Sequence, residues 1–465
     1  MAVTPAPASG APQRRLDLAA LPAIPADSRP LVRPGDAGIG VVHLGVGAFH
    51  RAHQAVYTEE AIAAGGGDWA IAAVAPHSPG VVDALARQDG MFSVTSLSGG
   101  GARTRVIGAI GRVMHAPSDR ASVVDLLADP AVKVVTLTVT EKAYRPGSSV
   151  VKLLVDGVRA RIATGAGPLA LVSCDNLTNN GERLRKLVTE AVEVPATVTF
   201  PRTMVDRIVP ATTSQTLATA QAALGCEDLA ALAAEPYRQW VIEDAFPGGR
   251  PAWDLAGAVV TTDVAPWEQL KLRTLNGLHS TLAYLGALAG CETIADALLL
   301  PGMHATLRRF VADEIAPSFT PPPGVDVRAY GDEVLERFAN AAIHHRTIQV
   351  AMDGTQKLPY RVLQTIRDGR GRGVVPRFGA LVVAAWIRFA EGRADDGREL
   401  PLDDPLAAAV TERLGSGGHP VEALLGLEAV FAPELARDAE FRALVEGWHA
   451  DLVRHGVRAT LGGLA

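Results

Sequence analysis

The chain has 465 residues, 48% of them hydrophobic and 20% charged, and carries a formal net charge of −6. That length exceeds one comfortable core and points to two or three domains, while the acidic balance argues against a partner held through nucleic-acid phosphates. No apolar run reaches the ~18 residues of a membrane span, and the first ten residues lack the charged and apolar regions of a signal peptide, so a cytoplasmic protein is expected.

Cys174, Cys226 and Cys291 are odd in number and far apart, which fits a reducing compartment and supplies no disulfide framework. They lack zinc-ligand spacing, and no cysteine or carboxylate pattern completes the nearby pair His50 and His53, so no metal site is expected.

Residues 1–30 are rich in Ala and Pro and read as a flexible arm. The next stretch, Gly38-Ile-Gly-Val-Val-His-Leu-Gly45-Val-Gly47-Ala-Phe49-His50-Arg51, is an apolar run bounded by glycines, as in a buried parallel strand. Gly45 and Gly47 stand where a dinucleotide fingerprint needs a tight turn and a close backbone approach to a pyrophosphate. The third glycine position holds His50, so these residues by themselves fit either a fingerprint or a plain strand and turn.

A helix from about Ala52 to Ala64 leads to a second strand, Trp69–Ala75, which runs into Pro76-His77-Ser78. An acid at that strand end would favour NAD by holding the ribose hydroxyls; with none there, both NAD and NADP stay open. Strands follow near 91–96, 104–108, 132–139 and 169–174, with helical patterns between several of them. This order predicts an α/β, Rossmann-like domain over residues 31–265, its sheet enlarged by strands some of which run antiparallel. Two strand ends carry polar clusters, Thr138-Val-Thr140-Glu141-Lys-Ala-Tyr144 and Ser173-Cys-Asp175-Asn176-Leu-Thr-Asn179-Asn180. Open α/β sheets bind ligands at the carboxyl ends of their strands, although turn chemistry alone also explains Asp, Asn and Gly there. Asp206-Arg207, inside an apolar segment, fits a surface ion pair equally well.

From Pro266 the pattern becomes helical, with proline at a first helical position and Glu268 in the first turn. Helices are expected from there to Gly290 and near 305–315, 330–345, 358–368, 378–391, 406–413, 421–430 and 439–455, giving a mostly α-helical domain over residues 266–465. Its first helix carries Lys271-Leu-Arg-Thr-Leu-Asn276-Gly-Leu-His279. At roughly 100° per residue, Lys271, Glu268, His279 and Asn276 fall at about 0°, 60°, 80° and 140°, in one half of the helix wall. A base, a carboxylate, an imidazole and an amide on one face can serve proton transfer, or can be the polar start of a surface helix.

Together these pieces resemble the polyol-specific long-chain dehydrogenase/reductase family, which includes mannitol dehydrogenases and fructuronate reductases. The resemblance runs through Gly45-Val-Gly-Ala-Phe-His-Arg-Ala-His53, Ser173-Cys-Asp-Asn-Leu177, Phe200-Pro, Met204-Val-Asp-Arg207, Gln239-Trp-Val-Ile-Glu-Asp244, Gly249-Arg-Pro-Ala-Trp253, the Lys271, Asn276, His279 signature and Asp353-Gly-Thr-Gln-Lys357-Leu-Pro. His50 in the third glycine position also matches the family's form of the loop. The resemblance implies a metal-independent, NAD-dependent oxidation of a secondary alcohol, or reduction of the matching ketone, with NADP not excluded. It implies Lys271 as general acid/base, Asn276 and Asn176 as holders of the reacting oxygen, His279 as a substrate-orienting group and Glu268 as a proton relay. Asp206 and Lys357 correspond to substrate contacts, and Gly45, Gly47, Phe49, His50, Arg51, Thr140 and Glu141 to the cofactor side.

These roles also make chemical sense. Hydride leaves carbon only as the hydroxyl proton is removed, so a base must reach that oxygen. A lysine can do this near neutral pH when burial disfavours its ammonium form, and two amide donors can stabilise the developing alkoxide.

The segment around Asn340, His344, Arg346 and Gln349 is more similar to the fructuronate reductase branch. Gln349 stands where the mannitol branch has an arginine, and Arg346 lies one helical turn earlier. A guanidinium can grip a uronate carboxylate in a two-pronged contact, whereas a polyol needs only hydrogen bonds. The expected partner is therefore a small sugar acid or polyol: fructuronate reduced to mannonate, or mannitol, arabinitol or a related polyol oxidised. A monomer and a dimer are equally compatible with the sequence.

Overall fold

A computed structural model of the chain describes residues 14–464. These fall into two compact units that divide after Val264.

The first unit is built on a six-stranded parallel sheet. Its strands are β1 (Ile39–Leu44), β2 (Ala70–Ala75), β5 (Ile110–His115), β6 (Val134–Leu137), β7 (Leu169–Ser173) and β8 (Val198–Thr199), in the order β5-β2-β1-β6-β7-β8. Side chains alternate across a strand, so each strand feeds two cores. Val41, Ile71, Ala73, Val134 and Val172 pack on one face with Tyr57 of helix α2 (Gln54–Gly65). Val42, Ala72, Val74, Val135, Leu137 and Leu171 pack on the other, with the helices Ala116–Leu127 and Ser149–Thr164. Both faces are covered, which is why these strands read as unbroken apolar runs.

The antiparallel strands expected within this sheet lie outside it. β3 (Phe92–Ser98) and β4 (Gly101–Ile107) form a hairpin, joined in parallel by β10 (Leu232–Ala234). β9 (Thr203–Asp206) runs antiparallel to β11 (Gln239–Glu243), which pairs with β12 (Val259–Thr261). Propensity marks a segment as a strand but does not assign its sheet.

Within the expected N-terminal arm, residues 1–13 lie outside the described residues, and residues 14–30 are docked. Leu16 donates its amide to Glu227 O at 2.8 Å, and Glu227 returns one to Arg14 O at 2.8 Å. Leu16 and Ile24 are buried with Met91, Val106, Leu224 and Cys226. Few apolar residues sit in this Ala- and Pro-rich stretch, but two of them fill a small core of their own.

The second unit is helical around one large core. Helix Arg377–Ala390, rich in Ala and Val, is buried on nearly every side around Trp386 and packs against the helices Gly277–Leu288 and Ala439–Gly462. Among the described residues no helix is long and apolar enough to cross a membrane. Among the described residues three π-helical turns interrupt α-helices, at Lys271–Asn276, Val311–Ile315 and Pro359–Leu363. The helix expected over 330–345 ends at Phe338, because the Asn340 side chain caps Ala342 N and His344 takes a left-handed backbone with φ 49°.

At the start of helix Arg377–Ala390 the buried Glu314 carboxylate accepts the amides of Phe378 (2.5 Å) and Gly379 (2.9 Å), two of the donors that a helix start leaves without internal partners. Burial pushes its pKa up to about 7, against the opposing pull of those two amides. A carboxyl whose folded pKa is raised loses its stabilising contribution as pH climbs from about 4.5 to about 7. Wild-type stability should therefore fall across that window, by an amount on the order of 3 kcal/mol from this group. Glu314→Gln should flatten the fall, and Glu314→Ala should cost about 2–3 kcal/mol at pH 5 by stranding both amides. Urea denaturation at pH 5 to 8 measures both effects.

Candidate functional site

In the first unit strand order reverses between β1 and β6, the switch point at which doubly wound sheets bind ligands. The turn after β1 requires Gly45: its φ is +107°, and a Cβ there would lie 2.1 Å from Thr138 O. Gly45 O accepts the Thr138 hydroxyl at 2.8 Å and His43 Nε2 at 3.0 Å, tying the turn to the strand ends on both sides of the switch point. Gly47 then starts a short helix α1 (Ala48–Ala52), whose first-turn amides have no internal acceptors. A glycine-only turn leading into free helix amides suits a pyrophosphate.

His50 explains its own departure from the fingerprint. Its ring lies flat on that of His43 of β1, with centroids 3.3 Å apart at 12°. Both are fully buried, and burial pushes His43 down to about 3 and His50 well below its ordinary value. A flat neutral ring thus fills the helix–strand gap that a third glycine would close.

The side chains of His50 and Arg51, expected on the cofactor side, are buried within the first unit. The His50 ring is interior. The Arg51 guanidinium bonds Ala230 O and lies 5.5 Å from the Phe92 ring, while its amide donates to Gly47 O at 3.2 Å. Phe49 is partly buried and stacks on His53 at 5.0 Å.

The two strand-end loops are held together by Asp175, whose role no local sequence signal announces. Its carboxylate accepts the amides of Val139 (3.0 Å) and Thr140 (2.8 Å) from the loop after β6, and the Tyr144 hydroxyl at 2.7 Å. Burial raises its pKa, with these three donors opposing the rise. Thr140 is thereby fixed at φ 69°, a backbone region that β-branched residues rarely adopt. Glu141 is exposed and 3.7 Å from Arg183. Asn176 follows Asp175 directly and is exposed, and Asp206 is buried at the end of β9.

In the second unit Lys271, Asn276 and His279 lie along one helical run and are all buried, with Glu268 partly so. The π turn over Lys271–Asn276 corrects the 100° wheel. An i→i+5 ladder does for residues five apart what the α ladder does for residues four apart, so Lys271 and Asn276 come closer to one face than an α-helix allows. Asn276 Nδ2 and His279 Nε2 are buried without hydrogen-bond partners among the described residues, and an unmet buried polar atom of this kind calls for an explanation.

Around His279 are groups that the sequence did not bring forward. Its ring stacks on Phe338 at 4.8 Å and meets His345 edge-on at 4.8 Å. Burial lowers its pKa far below the ordinary value, and the cationic side chains of Arg361, Lys357 and Arg337 act in the same direction. Arg361 is itself half-buried, pushed down to about 10 by desolvation, and donates to Ser280 Oγ at 3.1 Å. It sits in the π turn Pro359–Leu363, where the wider coil accommodates a proline that an α-helix interior would reject.

Lys357 donates to the carbonyls of Met352 and Val350 at the end of helix Thr347–Ala351 and lies 3.6 Å from Asp353. Burial lowers its pKa. Next to it Gly354 is obligatory, since a Cβ would stand 2.6 Å from Trp386 Nε1. Arg346 caps the start of helix Thr347–Ala351, exposed and without an ion-pair partner among the described residues, and Gln349 is exposed in its first turn.

Residues 39–255 match the family described as Mannitol dehydrogenase Rossmann domain, and residues 263–450 match Mannitol dehydrogenase C-terminal domain. The D-mannonate oxidoreductase of Escherichia coli (strain K12) is 37% identical over 91% of this chain and 95% of its own length. The mannitol 2-dehydrogenase of Cereibacter sphaeroides is 34% identical over 91% and 95%. Among solved structures, Pseudomonas fluorescens mannitol 2-dehydrogenase, in a ternary complex with NAD and D-mannitol, superposes with a TM-score of 0.85 at 32% identity, covering 97% of this chain and 99% of that one.

Replacing Asp175 with Ala should strand two amides and a hydroxyl and lower stability by about 2–4 kcal/mol. Asp175→Asn, which keeps the shape and one acceptor, should cost less than half of that. Chemical denaturation of the two variants compares them directly.

Proposed function

Because the chain belongs to the mannitol dehydrogenase family, we propose that it is a NAD-dependent reductase of a keto-uronate, converting D-fructuronate to D-mannonate. The observation that carries the sugar-acid reading is the group of cationic side chains acting on His279, namely Arg361, Lys357 and Arg337, against which the nearby carboxylate is Asp353, 3.6 Å from Lys357. An anionic substrate is stabilised in such a setting, and a neutral polyol gains nothing from it. Arg346, with no ion-pair partner among the described residues, is the guanidinium we assign to the carboxylate.

A bound nicotinamide dinucleotide supplies the hydride, and the Gly45 turn with the first-turn amides after Gly47 suits its pyrophosphate. In the proposed reduction Lys271 delivers a proton to the carbonyl oxygen, and in the reverse direction it removes the hydroxyl proton. Asn276 and Asn176 donate to that oxygen as negative charge builds on it, and Glu268 passes the proton onward. His279, neutral at working pH because burial lowers its pKa, accepts or donates a hydrogen bond to a substrate hydroxyl without adding charge. Asp206 and Lys357 contact the far end of the substrate.

The second reading, oxidation of mannitol, arabinitol or a related polyol, is favoured by the similarity to mannitol 2-dehydrogenases. Initial rates with NADH or NADPH and fructuronate, tagaturonate, fructose or xylulose, then with mannitol and arabinitol in reverse, separate the two. Fructuronate with NADH should give the highest kcat/KM. Lys271→Ala should lower kcat by at least about 100-fold, the typical worth of a positioned acid/base. Arg346→Leu should lower kcat/KM for fructuronate by about 10-fold or more while leaving any ketose turnover unchanged. Uronate turnover that survives Arg346→Leu would sink the carboxylate assignment.

A further inference from the structure

The first unit contains a cavity of about 230 Å³ that no step of the proposed reaction uses. Its walls are α2, the β3–β4 hairpin and the segments following β9 and β10. In the hairpin Ser96 pairs with Arg103 and Val94 with Arg105, so alternate residues of both strands present one face to the cavity. Four guanidinium groups line it, from Arg103, Arg105, Arg207 and Arg238, against one carboxylate, Glu60.

Glu60 is shared by two of them: Arg105 Nη2 reaches it at 2.7 Å and Arg238 bonds it in a two-pronged contact. Arg207 is buried and bonds only neutral acceptors, the carbonyls of Ala52 and Glu235 and the Ser96 hydroxyl. Arg103 is exposed at the rim, and its side chain has neither an ion pair nor a hydrogen bond among the described residues. Positive charges crowded in this way repel one another, and the four guanidiniums outnumber the carboxylates acting on them: Glu60, Glu59 at 3.7 Å from Arg105, and Glu235 on Arg207. Planar guanidinium forks match oxyanions in geometry as well as in charge. The volume is below that of common cofactor sites, which suits a small anion and excludes a dinucleotide.

We propose that this arginine-lined cavity binds a small dianion, inorganic phosphate or a compact phosphomonoester, gripped by Arg103 and Arg105 in the field of Arg207 and Arg238. The site stands apart from the dehydrogenase reading and does not depend on it. The test is the thermal midpoint and calorimetric titration of the full chain with sodium phosphate and with glycerol 3-phosphate, against sodium chloride at equal ionic strength. Saturable stabilisation beyond chloride is expected. Saturation by both probes marks a free-phosphate site, and saturation by the ester alone marks a phosphomonoester site. Arg103→Ala should weaken binding about tenfold, Arg103→Glu should abolish it and Arg103→Lys should retain part of it. The Arg103 side chain makes no bond among the described residues, so all three variants should match the wild-type midpoint in chloride. The proposal is overturned if neither probe saturates, or if the Arg103 variants titrate like wild type, which would place the anion elsewhere, for instance at the Gly45 turn.

Discussion

Polar side chains buried within an apolar bundle are the constraint on which the second unit turns. Lys271, Asn276 and His279 lie in the same helical run as Leu275, Leu278, Leu282 and Leu285, all of them core residues. Burial of this kind is costly unless partners are supplied. The surroundings supply them unevenly: Arg361 meets Ser280, while Asn276 Nδ2 and His279 Nε2 are left without partners among the described residues. The unit thus holds polar groups at a desolvation cost beside a large hydrophobic reserve, an arrangement typical of reaction sites rather than of structural networks.

The first unit solves a different problem. A parallel sheet covered on both faces can present polar groups only at its strand ends, and the loops there must be rigid to be useful. Asp175 and Gly45 provide that rigidity, the former through three donors and the latter through a backbone geometry closed to any other residue. The stacked pair His43 and His50 adds a third fixed point, its rings kept neutral by burial.

Much of this was legible in the sequence. The apolar strands with glycine punctuation gave the parallel sheet, and Pro266 with Glu268 marked the start of the helical unit, because those signals are local. What escaped was non-local or concerned the phase of a helix. The sheet membership of β3, β4 and β9 depends on pairing partners far along the chain. The side-chain partner of Arg51, Ala230 O, lies 179 residues away, so no local pattern announces it. Leu16 and Ile24 are two apolar residues in a segment whose composition argues for looseness, and composition does not reveal the small cavity they fill. His345 and Arg361 belong to the surroundings of His279 only through tertiary packing, and no periodicity in their own segments signals it.

The π turn at Lys271–Asn276 has a consequence for chain length. A π turn accommodates one residue more than the α repeat would, so everything after Asn276 is rotated relative to an uninterrupted helix. The run Gly277–Leu288 is buried at every position, and its packing against helix Arg377–Ala390 is cut to that rotation. Shortening the turn by one residue would change the spacing of Lys271 and Asn276 and, in the same stroke, swing the whole downstream helix by about 100° out of register with its neighbours. Core and polar face are therefore set by a single residue count, and neither can drift without the other.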